Sequence, residues 1–350
     1  MHKILVTGGG GYIGSHTVYK LLEKGYEVVI IDSFVNSNPK VIDKLKILCN
    51  KNNVEIKNKL DIFQGDLRDI GFINKIFNDY HCSGTPIVGV MHFAGLKSVN
   101  DSIKKPLKYW DYNFNSSLNL IKVMNLFSCN CMVFSSSATV YKSKINKKIR
   151  EDSDIKPINA YGNTKFAIES FLNDIFLSSK DNWKIANLRY FNPIGAHESG
   201  LIGEDPNGIP NNIFPLILKV ASRKIQKLKI FGGDWPTPDG SGIRDYIHVL
   251  DLADGHINAL DFLLNNSPQI INLNLGTGIG TSVFELIKIF EEVNQMKIPF
   301  EVVSRRKGDL ANVVADNLRA IEILNWKPKR NVHDMCKDGW QWQILNPNGY

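Results

Sequence analysis

At 350 residues the chain is too long for one minimal domain and fits one large α/β domain with a smaller partner. Its 43% hydrophobic and 22% charged residues suffice for a full core, and no apolar run reaches the roughly 18 residues of a membrane helix. The net charge of +7 comes from lysines spread along the sequence without interleaved aromatics, which argues against a nucleic-acid platform.

The pattern of elements starts at once. Residues 3–7 form a short apolar run read as a strand, followed by glycines and a helical pattern over 15–24. Residues 27–32 (EVVIID) are apolar in succession, as in a parallel strand covered on both faces. The alternation then repeats, with strands at 60–66, 87–93, 131–136 and 184–190 and helices at 69–80, 101–127 and 160–178. Strands separated by helices of this length predict right-handed βαβ units and a doubly wound parallel (Rossmann) sheet. After about residue 192 the pattern loosens into Pro/Gly clusters and shorter elements. We therefore expect a dinucleotide-binding domain over 1–191 and a smaller α/β substrate lobe over 192–350, with a return of about 243–258 to the first domain.

The start of the sequence, MHKILVTGGGGYIG, has too short an apolar run for a signal peptide. Five scattered cysteines suit a reducing, cytoplasmic compartment rather than a disulfide framework. Cys129 and Cys131 lack a second pair with zinc-ligand spacing, so no metal is expected. The densest basic cluster, at 144–148, reads as a solvated loop.

Glycines follow the first strand in two registers. Gly9, Gly11 and Gly14 fit G-x-G-x-x-G, whereas Gly8, Gly11 and Gly14 fit G-x-x-G-x-x-G. In either register the backbone, with Tyr12 and Ile13 just ahead of the 15–24 helix, can approach a pyrophosphate at the helix N-terminus. Asp32 ends the second strand near the spacing expected of a carboxylate on the adenosine ribose, and it repels a 2′-phosphate, which favours NAD over NADP. Asp66 with Leu67, and Phe93-Ala94-Gly95, fall at the carboxyl ends of the third and fourth strands, the rim where open α/β sheets bind ligands.

Tyr161 and Lys165 form Y-x-x-x-K on one face of a predicted helix. A phenol with pKa near 10 becomes a base at neutral pH only after about 4 kcal/mol of preferential phenolate stabilisation. A lysine ammonium and a positive nicotinamide ring together can supply it. Ser137, at the end of the fifth strand, can orient a substrate oxygen toward Tyr161.

LVTGGGGYIGSHT, HFAGLKSV, FSSSATVY, LRYFNPIGAH, GEDPNGIPNN, RDYIHVLDLADGH and NLGTG together resemble the UDP-glucose 4-epimerases, from Lys3 to the WQWQ near 340. The resemblance implies a catalytic set of Ser137, Tyr161 and Lys165, and cofactor contacts from Lys97 and Phe191. It also implies UDP-sugar contacts from Asn192, Asn212, Arg244, Arg306 and Asp309, and a homodimer paired through 101–127 and 160–178. Three positions depart from the family pattern. Tyr112 stands where asparagine is common, Lys142 replaces the glycine of TVYG, and Val313 occupies a sugar-pocket position that carries a bulky aromatic in some members. The implied reaction is NAD-dependent C4 epimerisation of UDP-glucose and UDP-galactose, extending to N-acetylated UDP-sugars if Val313 widens the pocket. Two rivals are weighed against it. One is another nucleotide-sugar enzyme of the same fold, a dehydratase or decarboxylase; a dehydratase needs a further acid/base pair, and Ala138-Thr139-Val140 stand in that place. A non-catalytic NAD-sensing scaffold would have no use for Tyr161 and Lys165.

Overall fold

A computed structural model describes residues 2–142, 148–208, 210, 212–306 and 309–350. The basic cluster at 144–148 therefore lies, except for Lys148, outside the described residues. The first half runs β1 (Lys3–Thr7), α1 (Tyr12–Glu23), β2 (Glu27–Asp32), α2 (Lys40–Lys51), β3 (Leu60–Gln64), α3 (Ile70–Cys82) and β4 (Ile87–His92). It continues with α4 (Val99–Lys104), α5 (Pro106–Tyr109), a π-helical turn (Trp110–Asn115), α6 (Ser116–Leu126), β5 (Cys131–Ser137), α7 (Ala160–Ser178) and β6 (Lys184–Tyr190). The second half holds β7 (Asn192–Ile194), α8 (Ile213–Ala221), β8 (Leu228–Phe231), β9 (Ile243–Arg244), β10 (Tyr246–His248), α9 (Val249–Asn265) and β11 (Gln269–Leu275). It closes with β12 (Thr281–Ser282), α10 (Val283–Asn294), β13 (Phe300–Val303), β14 (Asn312–Val313), α11 (Leu318–Leu324) and α12 (Val332–Leu345).

Seven strands form one parallel sheet in the order β11-β6-β5-β4-β1-β2-β3, the doubly wound α/β architecture expected. The order reverses between β1 and β4, and the crevice at such a switch point is where these sheets bind ligands. Leu5, Val6, Val29, Ile30, Met91 and Val133 are fully buried, so the strands read as unbroken apolar runs. One core lies between the sheet and α1, α2, α9 and α11; the other lies beneath α3, α6 and α7. A separate core, from α8, β8, α10 and α12, serves the second half.

Three elements differ from the sequence expectation. α2 was not foreseen. The 101–127 helix is broken, because Pro106 cannot continue the α4 ladder, leaving Lys105 at φ −131, ψ 57, and the chain then widens into the π turn. The return to the sheet is longer than 243–258, since α9 packs on α1 and 269–275 forms the edge strand beside β6. All five cysteines are free thiols, and burial raises the pKa of Cys129 and pushes that of Cys131 up to about 12. Among the described residues no helix is long and apolar enough to cross a membrane, and no cluster of three metal-ligating side chains occurs.

Candidate active site

The glycine turn joins β1 to α1. Gly8 sits at φ +70, and a Cβ there would lie 2.7 Å from the Ala94 nitrogen; at Gly14 it would lie 2.1 Å from the Gly8 carbonyl oxygen. Both obstacles are backbone. At Gly9 the nearest obstacles are the Cγ atoms of buried Ile30, at 2.9 and 3.0 Å, and at Gly10 the ring edge of Phe34 at 2.6 Å. Gly11 and Gly14 belong to both registers, and the positive φ and backbone obstacle at Gly8 favour G-x-x-G-x-x-G over the register that uses Gly9. Gly11 begins α1 without a side-chain cap, so Tyr12 and Ile13 offer a backbone cradle for an anion at the positive end of the helix. The Tyr12 ring is fixed apart from this, its hydroxyl donating to Gly195 O at 2.7 Å.

Asp32 closes the cradle. Gly10 N–H and Phe34 N–H each donate to its carboxylate at 2.8 Å, and Ser37 Oγ donates at 3.1 Å. These bonds aim a largely buried carboxylate across the turn, the placement a ribose diol needs. Asp66 leaves the end of β3 paired with Arg68 at 2.7 Å, which holds its carboxyl below the usual range. Arg68 also reaches Asp111 at 2.5 Å and lies 3.7 Å over the Tyr112 ring, so the departing tyrosine supports this corner by stacking. Leu67 beside it is core.

Phe93-Ala94-Gly95 hang from the end of β4 and are fixed by a buried chain that the sequence reading missed. Thr7 Oγ1 meets His92 Nδ1 at 2.7 Å, His92 Nε2 meets Ser117 Oγ at 2.8 Å, and Ser117 Oγ donates to Asn113 O at 2.6 Å. Because Ser117 spends its proton on a carbonyl, His92 carries its own on Nε2. Burial holds the ring neutral, pushing its pKa down to about 3. Asn113, in the π turn, then accepts from Leu96 N at 2.7 Å and donates to Leu96 O and Thr164 Oγ1, tying the loop to α7. A π turn at such a junction is a common mark of a functional site.

Ser137 ends β5, and α7 presents Tyr161 and Lys165 toward it. Asn159 caps α7 by accepting from Gly162 N at 2.8 Å, which fixes where that face points. Ser137 Oγ accepts from Thr139 N and Thr139 Oγ1 and hydrogen-bonds Tyr161. Lys165 Nζ donates to Ser135 O at 2.7 Å and lies 5.9 Å from the Tyr161 ring centroid. Burial pushes Tyr161 up to about 12, only partly offset by Ser137, and pushes Lys165 down to about 8. The protein alone therefore does not make the phenol a base. A further positive charge beside it is required, and a nicotinamide ring supplies one. The turn, the aimed carboxylate and this unmet need together fit a bound NAD.

The second half supplies the remaining named residues. Asn192 begins β7, its N–H donating to Asp245 O at 3.0 Å, and Phe191 packs in a small cluster with Val140, Tyr141, Ile149 and Ala315. Ala138 and Val313 pack against the same cluster, which brings Val313 beside the segment following Ser137. Val313 pairs in register with Arg244, whose guanidinium donates to Ile243 O and Leu310 O at 2.8 Å. Arg306 lies 4.0 Å from the Phe231 ring centroid and 3.5 Å from Asp309, and its buried Nε has no hydrogen-bond partner among the described residues. Asn212 is exposed at the start of α8. Lys97 forms a 2.8 Å ion pair with Glu204, linking the Phe93–Gly95 loop to the second half. Lys142 needs no glycine, since its φ is not positive, and its N–H donates to Asp154 O at 2.7 Å beside the Tyr141–Ile155 bridge. Asp245 was missed: buried between Arg244 and Tyr246, it accepts from Thr277, Gly278 and Ala315 and locks these turns together.

A pyrophosphate cradle at the switch point, with a serine, tyrosine and lysine at the next strand end, defines an NAD-linked short-chain dehydrogenase/reductase of the extended type. The family described as GDP-mannose 4,6 dehydratase matches residues 5–339. UDP-glucose 4-epimerase of Bacillus subtilis is 44% identical over 347 residues, 99% of this chain and 98% of the relative. Two solved structures superpose with TM-scores of 0.92 at 41% identity over 99% of the chain. One is UDP-glucose 4-epimerase of Stenotrophomonas maltophila with NAD and formylated UDP-arabinopyranose, covered over 98%; the other is that of Bifidobacterium longum with NAD+ and UDP, covered over 100%. The chain belongs to the UDP-glucose 4-epimerase family.

Proposed function

We propose that the chain interconverts UDP-glucose and UDP-galactose by reversible, NAD-dependent epimerisation at C4 through a 4-keto sugar. The observation that carries this reading is the convergence of Ser137, Tyr161 and Lys165 beside the glycine cradle. The glycine turn and Asp32 would hold the cofactor, which would supply reversible hydride chemistry at C4. Tyr161 accepts the O4 proton and gives it back, and Ser137 holds O4 in line. Lys165 supplies positive charge toward the phenolate. Gly8, Gly11, Tyr12, Ile13, Gly14, Asp32, Asp66, Leu67, Phe93, Ala94, Gly95, Lys97 and Phe191 are assigned to the cofactor. Arg244 and Arg306 suit the diphosphate, with Asn192, Asn212 and Asp309 completing the nucleotide contacts. Val313 is assigned to the sugar pocket, where a small side chain supports turnover of N-acetylated UDP-sugars as well.

The proposed division is a cofactor domain of 1–191, joined by α9 and β11, and a nucleotide-sugar lobe from the rest. A homodimer is supported by apolar side chains left exposed on the α4–α7 surface. Ile103 on α4, Leu107 on α5 and Trp110 in the π turn are all exposed, Leu107 by 85%, and Phe166 is exposed on α7. Sedimentation as a monomer at assay concentration would remove this arrangement. The free thiols support a cytoplasmic location.

The test is to incubate the purified chain with UDP-galactose, separate the sugar products and follow nicotinamide absorbance. UDP-glucose should appear without stoichiometric NADH. Steady NADH release matched to substrate loss would instead make the enzyme a dehydrogenase.

A further inference from the structure

Along α7, Tyr161, Lys165 and Glu169 recur every four residues on one face. They engage three consecutive residues of β5: Tyr161 bonds Ser137, Lys165 bonds the Ser135 carbonyl, and Glu169 accepts from Ser136 Oγ. In the sheet, Ser136 sits in register with Arg189 of β6, and Arg189 closes on Glu169 with bonds of 2.9 Å from Nε and 2.6 Å from Nη2. The ion pair is almost wholly buried, at 2% and 5% exposure.

The pair does not end there. Arg189 donates to the Tyr141 hydroxyl at 2.9 Å and to Glu151 O at 3.2 Å. Tyr141 donates to Asn274 Oδ1 at 2.7 Å, and Asn274 Nδ2 donates to Ile149 O and Asp316 O. Ile149 N–H in turn donates to Val314 O, and Ile149 O accepts from Asp316 N, both at 2.8 Å. One polar chain thus runs from the catalytic helix to the segment carrying Val313.

We infer that Glu169 and Arg189 are a positioning pair for the reaction: they fix the strand end bearing Ser137, set a carboxylate one helical turn from Lys165, and hold both at a set distance from the Val313 segment. The inference rests on the epimerase reading above. Stability alone does not account for such a pair, because buried ion pairs are often replaced by apolar residues with no loss of stability. The groups facing Lys165 make the electrostatic part specific. Tyr161 and Glu169 face it from α7, neutral His92 from β4, and the Ser135 carbonyl and Phe134 ring from β5; Arg189 reaches it only through Glu169. Glu169 is the acid that raises Lys165 against burial.

The test is the pH profile of Glu169→Gln with UDP-galactose, beside the parent. The substitution keeps the shape and removes the charge, so Lys165 should lose its proton at lower pH. The alkaline limb of kcat should move down by about one pH unit, and kcat at neutral pH should fall about 10–100-fold with KM within about threefold. A parent-like rate and limb would overturn the inference, and so would a loss of rate with the limb unmoved, since that is merely structural. If Glu169→Gln does not fold, Glu169→Met/Arg189→Met removes both charges. That variant should fold and show the lowered limb, and a parent-like limb in it would overturn the pair's role. An inactive parent would sink the epimerase reading instead.

Discussion

Replacing Tyr161 by phenylalanine removes one oxygen from the site and leaves the ring. The structural cost is small, because Ser137 Oγ keeps its bonds from Thr139 N at 3.2 Å and Thr139 Oγ1 at 3.0 Å. Ser137 keeps these accepted bonds while its own O–H, which bonds the phenol oxygen in the parent, loses its partner, at a cost of about 1–3 kcal/mol. A shift of a few degrees in Tm is the most that follows. The chemical cost is of another order. Lys165 bonds the Ser135 carbonyl and cannot take the place of the phenol, and Ser137 has no base to receive its own proton. Loss of a positioned acid/base group costs about 10²–10⁴-fold. The assay pairs turnover of UDP-galactose with the nucleotide content of the purified protein, so that cofactor loss is not mistaken for chemical loss. The expected variant folds, holds NAD at the parent's level and turns over at least 100-fold more slowly. A rate within about threefold of the parent, far outside that range, would refute the assignment of Tyr161 as the base.

Gly14→Ala places a methyl 2.1 Å from the Gly8 carbonyl oxygen and must push the turn into the cofactor cradle. The chain should fold yet hold NAD roughly 10-fold or more weakly, read by nucleotide retained on gel filtration; parent-like retention would show that the turn has slack. Burial holds His16, His92 and His256 neutral, down to about 3, 3 and 4, so their folded pKa values lie below the ordinary 6.5. The unfolded chain then binds more protons, and stability falls as pH drops from about 6.5 toward 4, by up to about 1.4 kcal/mol per unit for each ring. Because His256 Nε2 has no partner among the described residues, His256→Leu should make Tm fall less steeply between pH 7 and 5, and an unchanged slope would contradict that account. Val313→Tyr should cost UDP-N-acetylgalactosamine about 10-fold more in kcat/KM than UDP-galactose; equal losses, or no turnover of the N-acetylated sugar by the parent, would remove Val313 as the gate.

The sheet was legible because parallel strands covered on both faces carry their burial in plain apolar runs, as in 27–32 and 131–136. α2 was legible too and was passed over. Val41, Ile42, Leu45, Leu48 and Cys49 mark one helical face, and all are buried. Pro106 announced the break in 101–127, but the π turn beyond it had no local signal. The reason for that turn lies in partners far off in sequence, since it aims Asn113 at both Leu96 and Thr164. β11 was disguised by its own function. Asn272 and Asn274 interrupt an otherwise apolar strand, and they do so because the edge of the sheet uses them, Asn187 bonding the first and Tyr141 the second.

The same division explains which site residues could be read. Gly8, Gly14, Asp32, Tyr161 and Lys165 are set by local demands, a turn too tight for a Cβ, a carboxylate at a strand end, two side chains one helical turn apart. Such demands survive in a one-dimensional string. His92, Asp245, Asn274 and Arg189 act at a distance, and each is recognisable only once strand register is known. Glu169 lies between the two cases. Its spacing from Lys165 repeats that of Lys165 from Tyr161, yet a glutamate on a helix reads as a solvated charge until the β5–β6 register puts Arg189 beside Ser136. Burial then changes its meaning, because a carboxylate withdrawn from water must be answered by a partner. Here the answering guanidinium also reaches Tyr141, and through it the strand edge beside the Val313 segment. On the function proposed above, the reacting groups thus stay on rigid elements of one half while the nucleotide-sugar contacts come from the other, with a buried polar chain holding the two in register.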